Sequence, residues 1–351
     1  MGTNTWVEPL ILSGAISLAA VPLARRVAVV TGFLDKPAPH KGHSKPTPYL
    51  GGVAICLAIL VTVLVERSTL HSGVIGVAAG ILFITGLVDD RRGVDPLVKL
   101  AIQGACALVV FFIGFHLQAE GIWLHWTSNQ TANLIPTFLL FILMPNSVNL
   151  LDNTDGLAAG VVAASAACVL AETVVRSQTE LSIAAAAVEG ALLGFLVFNR
   201  RPASIFMGDA GSLPLGLLLA VMAVRAGVGV PAPDGAVVSL MLVGLPLADT
   251  ATVFAARIIN GRSIFTGGQD HLSHRLAAVG IPIGWATWIL IGTQALLGGL
   301  GLAVATGHLA WWAASAAAAV LLGALVGFCL RPAITRIVYR KAEPGVAAVA
   351  N

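Results

Sequence analysis

Residues 71–92 read HSGVIGVAAGILFITGLVDDRR. No charge occurs from Gly73 to Val88, and then Asp89, Asp90, Arg91 and Arg92 follow without a gap. An uncharged run approaching the roughly 20 residues that cross a bilayer predicts a membrane helix. An acid pair at the end of such a helix is costly unless it is ion-paired or holds a metal ion. The ordinary alternative is an interfacial cap, with the acids bridged to the two arginines.

Similar runs recur in both directions along the chain. The expected spans are 9–29, 49–65, 71–88, 98–116, 133–150, 157–175, 181–198, 212–229, 236–256, 281–304 and 309–330. Of 351 residues, 57% are hydrophobic and 11% charged, with a mean hydropathy of +0.89. Soluble domains carry roughly 25% charged residues, so disorder and a conventional soluble enzyme are excluded. A net charge of +3 is too small to imply a nucleic-acid partner. Lipid-facing backbone must satisfy its own hydrogen bonds, which long apolar runs do as helices. The expected fold is therefore all-α: one integral membrane domain over 1–351, a polytopic bundle of about eleven transmembrane helices, with 331–351 as a C-terminal tail. Glu8 precedes the first apolar run and the first basic residue is Arg25, so that run reads as a retained helix and not a secretory signal. The four cysteines stand singly in apolar runs, which argues against a zinc or thiol-redox site.

Sidedness follows from Lys and Arg in alternate loops. Seventeen fall on one side, and only Arg67, Arg176 and Arg225 on the other. The first side is expected to be cytoplasmic, which places the N-terminus outside and the C-terminus inside. Nine of ten Asp gather on that same side, whereas five of seven Glu lie opposite. Solvation alone does not sort the two acids in this way. Clustered carboxylates repel unless a cation sits among them. With phosphate nearby, Mg²⁺ suits such a site, because it takes few carboxylates, several waters and phosphate oxygens.

Five inner loops carry the candidate chemistry. In the first, Lys41 and His43 offer anion-binding groups, while Lys36 and Lys45 satisfy the charge rule. The second has Asp89 and Asp90, then Lys99 at headgroup depth, where it meets a lipid phosphate or simply snorkels. In the third, Asn146, Asn149, Asp152 and Asp155 recur every third residue, a slowly turning helical stripe that contains no Lys or Arg. The fourth runs Asn199-Arg200-Arg201 to Phe206-Met207-Gly208-Asp209. Gly208 permits close backbone approach to a ligand, Asp209 offers a carboxylate to a cation, and Phe206 can stack on a base. The fifth contains Asp270, His271, His274 and Arg275, which can contact phosphate or sugar. Its two histidines at i, i+3 also suit zinc, though no Cys is near. Glu189 lies within a span and reads as an internal hydrogen-bonding residue. His71, His116, His125 and His308 fall outside and carry no expected chemistry.

Taken together, the Asp89-Asp90 pair, Asn146-x-x-Asn149-x-x-Asp152-x-x-Asp155-Gly156 and Phe206-Met207-Gly208-Asp209 resemble the polyprenyl-phosphate N-acetylhexosamine-1-phosphate transferase family, of glycosyltransferase 4 type. The resemblance covers about residues 30–280. It implies a multi-pass enzyme of the plasma membrane, working at the cytoplasmic face. Such an enzyme moves a sugar 1-phosphate from a UDP-N-acetylhexosamine to polyprenyl phosphate of undecaprenyl type, releases UMP and requires Mg²⁺, with Mn²⁺ able to substitute. A homodimer is also compatible with it. The likeness is closer to the UDP-N-acetylglucosamine branch, which initiates teichoic acid or the O-antigen of lipopolysaccharide in cell-wall biogenesis. The phospho-N-acetylmuramoyl-pentapeptide branch, the alternative, has consecutive histidines in its last loop. Ser273 here replaces a histidine frequent in the amino-sugar branch.

The resemblance implies Asp209 as the leading Mg²⁺ ligand and Asn149 as a second. It implies uridine contacts from Asn199 and Phe206, with Asp155 near the nucleoside, and a phosphate held by Lys99. Asp89 becomes the candidate base with Asp90 beside it, and Asp152 an essential residue or nucleophile. A membrane transporter, the reading from a different class, would place its acids near mid-membrane, whereas these crowd at one boundary.

Overall fold

The computed structural model describes residues 5–35, 46–67, 72–117, 124–264 and 268–342. Lys41 and His43 lie outside them. The chain starts with α1 (Val7–Thr31). The short strands β1 (Leu34–Asp35) and β2 (Thr47–Pro48) then pair antiparallel, Leu34 opposite Pro48. Next come α2 (Gly51–Val65), α3 (Ser72–Arg92), α4 (Pro96–Leu117), α5 (Gln130–Leu151), α6 (Leu157–Val175), α7 (Thr179–Asn199) and α8 (Asp209–Ala226). The remainder is α9 (Asp234–Leu242), α10 (Gly244–Ile259), α11 (Leu272–Ala278), α12 (Ile283–Ala305), α13 (Trp311–Cys329) and α14 (Pro332–Ala342).

Among the described residues, α1, α3, α5, α6, α7, α8, α12 and α13 are long and apolar enough to cross a membrane, and α2 and the stretch Pro96–Phe112 of α4 are shorter apolar segments. The chain is thus a helical, multi-pass membrane protein. Helix α8 is the central post, its side chains almost wholly buried, with α3 and α5 packed closely along it. Small residues permit the tight contacts that lipid does not enforce. Ser13 and Ser17 of α1 donate to the Ala187 and Ala191 carbonyls of α7 at 2.6 and 2.7 Å, and Gly190 and Gly194 give the α1 backbone room.

The expected span 236–256 is broken: α9 and α10 meet at 70°. Pro246, in the first turn of α10, brings no amide proton to the junction. Gln294 of α12, fully buried, satisfies the freed backbone groups. Its amide donates to the Met241 and Leu242 carbonyls, and its oxygen accepts the Leu245 amide, all at 3.0 Å. The segment expected as a plain tail contains helix α14, whose Ile334 and Val338 are buried and which packs on α11. Glu189 differs from its expected role: its Oε2 is buried without a hydrogen-bond partner.

Candidate active site

Four helix termini meet at one end of the bundle. The C-terminal turn of α3 brings Asp89 and Asp90, the first turn of α4 brings Lys99, the end of α5 brings Asn146, Asn149 and Asp152, and α8 begins with Asp209. Close backbone approach makes the meeting possible. A Cβ at Gly86 would run into the Asp209 backbone, and one at Gly208 into the Asp90 carboxylate. Gly208 also has φ +69°, a conformation that other residues adopt with strain.

The Lys99 ammonium donates to Asp89 Oδ2 at 2.7 Å and to Asp209 Oδ2 at 2.8 Å. The two carboxyl groups lie within hydrogen-bonding reach of each other. Asn149 donates its amide to Asp209 Oδ1 at 2.6 Å and to Ser212 Oγ at 3.0 Å. It thereby orients that carboxylate. Asp89 Oδ1 accepts the Val94 amide at 2.5 Å, which fixes the turn between α3 and α4.

Asp90 has a different task from its neighbour. Its two oxygens accept the Asp209 and Ala210 amides at 2.9 and 3.1 Å. These are orphan donors at a helix N-terminus, where negative charge is favoured. Asp152 receives a backbone hydrogen bond from Gly208. Burial, followed by the charges of Asp209, Asp90 and Asp155, holds its pKa well above the usual carboxylate range. One turn deeper, Asn146 donates to Gln103 Oε1 at 2.5 Å.

Beside this cluster, residues 204–208 run along the stretch after β2. Phe206 donates its amide to the Pro48 carbonyl, while Gly51 and Gly52 donate to Phe206 and Met207. The Phe206 ring stands 6.2 Å from Tyr49. Tyr49 is hydrogen-bonded to Asp35, and burial and the Asp35 charge raise its pKa. Asp155 accepts the Ala203 amide at 3.2 Å. Asn199, expected as a uridine contact, is only 1% exposed and braces two loops. It accepts the Gly156 amide at 3.0 Å and donates to the Ile205 carbonyl at 2.9 Å.

The histidine element joins through the turn after α5, where Ser273 donates to Asn153 at 2.7 Å. His271 Nδ1 pairs with Asp249 Oδ2 at 2.8 Å, and the other Asp249 oxygen accepts the Leu272 amide at 2.8 Å. Asp270 pairs with Arg257 at 2.7 Å. Burial and the neighbouring His271 push His274 down to about 4, so it is neutral near pH 7. Arg275, expected to meet phosphate or sugar, is fully buried and turned toward the C-terminal helices.

Sequence reasoning passed over Gln103, Ser212, Tyr49 and Asp35 as site residues, and left Asp249 without a role. A polar residue inside an apolar span is the signal that marks Gln103. For Asp249 it is an acid near the end of an apolar run, in the helix just before the histidines.

Among the described residues, no group of three or more His, Cys, Asp or Glu forms a ready-made metal cage. Zinc, which wants such a set, gains no support. The chemistry of the donors does fit Mg²⁺, which needs only one or two carboxylates and completes its shell with water and phosphate. Asp209 and Asp89 are the residues that would hold it.

A bundle of membrane helices with an acid-rich, lysine-bearing site assembled from helix ends defines a polytopic membrane protein with an ionic centre at one boundary. The chain belongs to glycosyl transferase family 4: the family model matches residues 72–227, the stretch from α3 to α8. It is similar to the decaprenyl-phosphate N-acetylglucosaminephosphotransferase of Mycobacterium leprae, 31% identical over 273 residues and 68% of each chain. The Mycolicibacterium smegmatis enzyme of the same name is 30% identical over 301 residues, 76% of this chain and 73% of that one. The undecaprenyl-phosphate alpha-N-acetylglucosaminyl 1-phosphate transferase of Escherichia coli K12 is 27% identical over 319 residues, 88% and 87% of the two chains.

Proposed function

We propose that this protein transfers N-acetylglucosamine 1-phosphate from UDP-N-acetylglucosamine to a polyprenyl phosphate and releases UMP, as the first membrane step of a cell-envelope glycan. The carrying observation is the convergence of Asp89, Asp209, Lys99 and Asn149, from four helices, within direct hydrogen-bond distances. The names of the relatives supply the substrate class. The Lys and Arg bias puts this end at the cytoplasmic face of the plasma membrane. Eleven crossings follow if α9 and α10 together make one and α2 and α4 each make one. That odd number leaves the N-terminus outside and the C-terminus inside.

Phosphoryl transfer is mostly alignment and charge neutralisation. An oxygen of the lipid phosphate attacks the sugar-bearing phosphorus, and UMP leaves. A phosphate monoester has a second pKa of roughly 6, so the attacking group is largely dianionic and needs no strong base. Lys99, which bridges Asp89 and Asp209, turns its charge to the phosphate of the bound substrate. Asn149 and Ser212 fix the Asp209 carboxylate, and Asp90 fixes the first turn of α8 behind it. Asp209 and Asp89 would hold Mg²⁺, which would supply charge neutralisation for the diphosphate and the leaving UMP. Asp152 is buried and accepts a backbone hydrogen bond from Gly208, a bracing role that goes with direct displacement and not with a phospho-aspartyl intermediate.

Purified protein with a panel of UDP-sugars and polyprenyl phosphate tests the reading by UMP release and lipid product, with and without chelator. Silence with every UDP-sugar overturns it. Rapid-quench labelling tests the displacement, since a trapped acyl-phosphate on Asp152 rules out the direct route.

A further inference from the structure

Helix α11 has only seven residues, Leu272–Ala278. Isolated helices shorter than about 12 residues are marginal, so the orientation of His271 and His274 must come from outside the element. Three braces hold it. Asp249 on α10 binds the His271 ring and the Leu272 amide. Asn153, after α5, binds Ser273. The third brace is Arg275. Its Nε donates to the Asp270 carbonyl at 2.6 Å, and its Nη1 donates to the Cys329 carbonyl at 3.0 Å and to Thr335 Oγ1 at 3.1 Å. Cys329 closes α13, so this bond satisfies a carbonyl that a helix end leaves orphaned. Thr335 belongs to α14, which is anchored by buried Ile334 and Val338.

We infer that α14 is part of the donor-binding apparatus: through Thr335 and Arg275 it sets the position of α11, and so the affinity of the site for the nucleotide diphosphate of the donor. Arg275 is a positioning residue and touches no substrate. The inference rests on the proposed donor, a UDP-sugar, and on the sequence expectation that His271 and His274 contact its phosphates. It converts the last stretch of the chain from a solvated tail into a strap across the histidine element. An arginine suits the task because its rigid plane holds Nε on the Asp270 carbonyl while Nη1 reaches Cys329 and Thr335, a fixed geometry that a single lysine ammonium does not reproduce.

The test uses the full chain with Ile334→Asp, which undocks α14, and the milder Thr335→Val and Arg275→Lys. UDP binding is measured by calorimetry, and Michaelis constants are measured for both substrates. Expected is a weakening of UDP binding and a rise in the donor Michaelis constant of about fivefold for each lost hydrogen bond, larger for Ile334→Asp. The Michaelis constant for polyprenyl phosphate should stay at the wild-type value, and the thermal midpoint of Thr335→Val should fall by no more than one lost hydrogen bond requires. Unchanged UDP affinity in all three variants overturns the inference, as does an equal loss for both substrates. Wild-type protein that binds UDP but turns over no UDP-sugar refutes the proposed reaction alone. The UDP affinities of the variants then still decide the role of α14.

Discussion

At the end of the bundle where α8 begins, the Lys99 ammonium bridges Asp89 and Asp209, and the carboxyl groups of Asp90 and Asp152 lie beside Asp209. At the other end of α8, roughly 27 Å away along the helix, Arg176 meets Glu172 at 2.8 Å and also donates to the Ala226 and Val228 carbonyls, both at 2.6 Å. The second arrangement is nearly closed: one cation, one acid and two backbone acceptors that bind α6 to the exit of α8. The first holds an excess of acid over base among the described residues, and it is built from glycines that force close approach. A structural ion pair completes itself, whereas a reactive site leaves charge for a substrate or a cation to complete. The two ends therefore predict different failures when they are disturbed.

The largest effect belongs to the acid end. Asp209→Asn should lower UMP release by at least about 10³-fold without shifting thermal unfolding in detergent. Turnover within a few-fold of wild type would erase the distinction between the two ends. Arg176→Met should do the reverse. It leaves Glu172 buried without its cation and lowers stability by about 3 kcal/mol, with kcat unchanged at temperatures where the variant is folded. Loss of kcat without loss of stability would mean that the far end takes part in the reaction.

Gln294→Leu probes a junction that belongs to neither end. It strips partners from two carbonyls and an amide at the α9–α10 break, and a fall of about 2 kcal/mol in unfolding free energy is expected. An unaltered unfolding curve would show that the bend satisfies itself.

The smallest effect concerns pH. His274 stays neutral down to about 4, against an ordinary value of 6.5. Between those values the unfolded chain takes up a proton that the folded chain refuses, so stability falls with acidity through that window. His274→Gln should flatten the stability profile there, and an unchanged slope would contradict the burial of the ring.

Much of the site was legible because acids at the ends of apolar runs have few roles open to them. Asp89, Asp90, Asp152 and Asp209 mark helix ends whatever the packing, and the structure brings those ends together. Asn199 and Arg275 read just as polar in the sequence, yet one braces two loops and the other straps α11 to α14. Nothing in their local sequence separates a side chain that faces a ligand from one that faces protein. Gln103 and Asp249 were passed over for the converse reason: their partners, Asn146 and His271, lie 43 and 22 residues away.

Sequence by itself determined the membrane bundle, the end at which its acids collect and the family, because hydrophobic run length and charge at a boundary are local properties that bilayer energetics read directly. The tertiary structure alone decided which acid caps α8, which pair grips Lys99, where the ninth apolar run breaks and that Arg275 ties α11 to α14. Those choices depend on hydrogen bonds between residues far apart in the chain, and a buried polar group takes its role from whichever neighbour satisfies it.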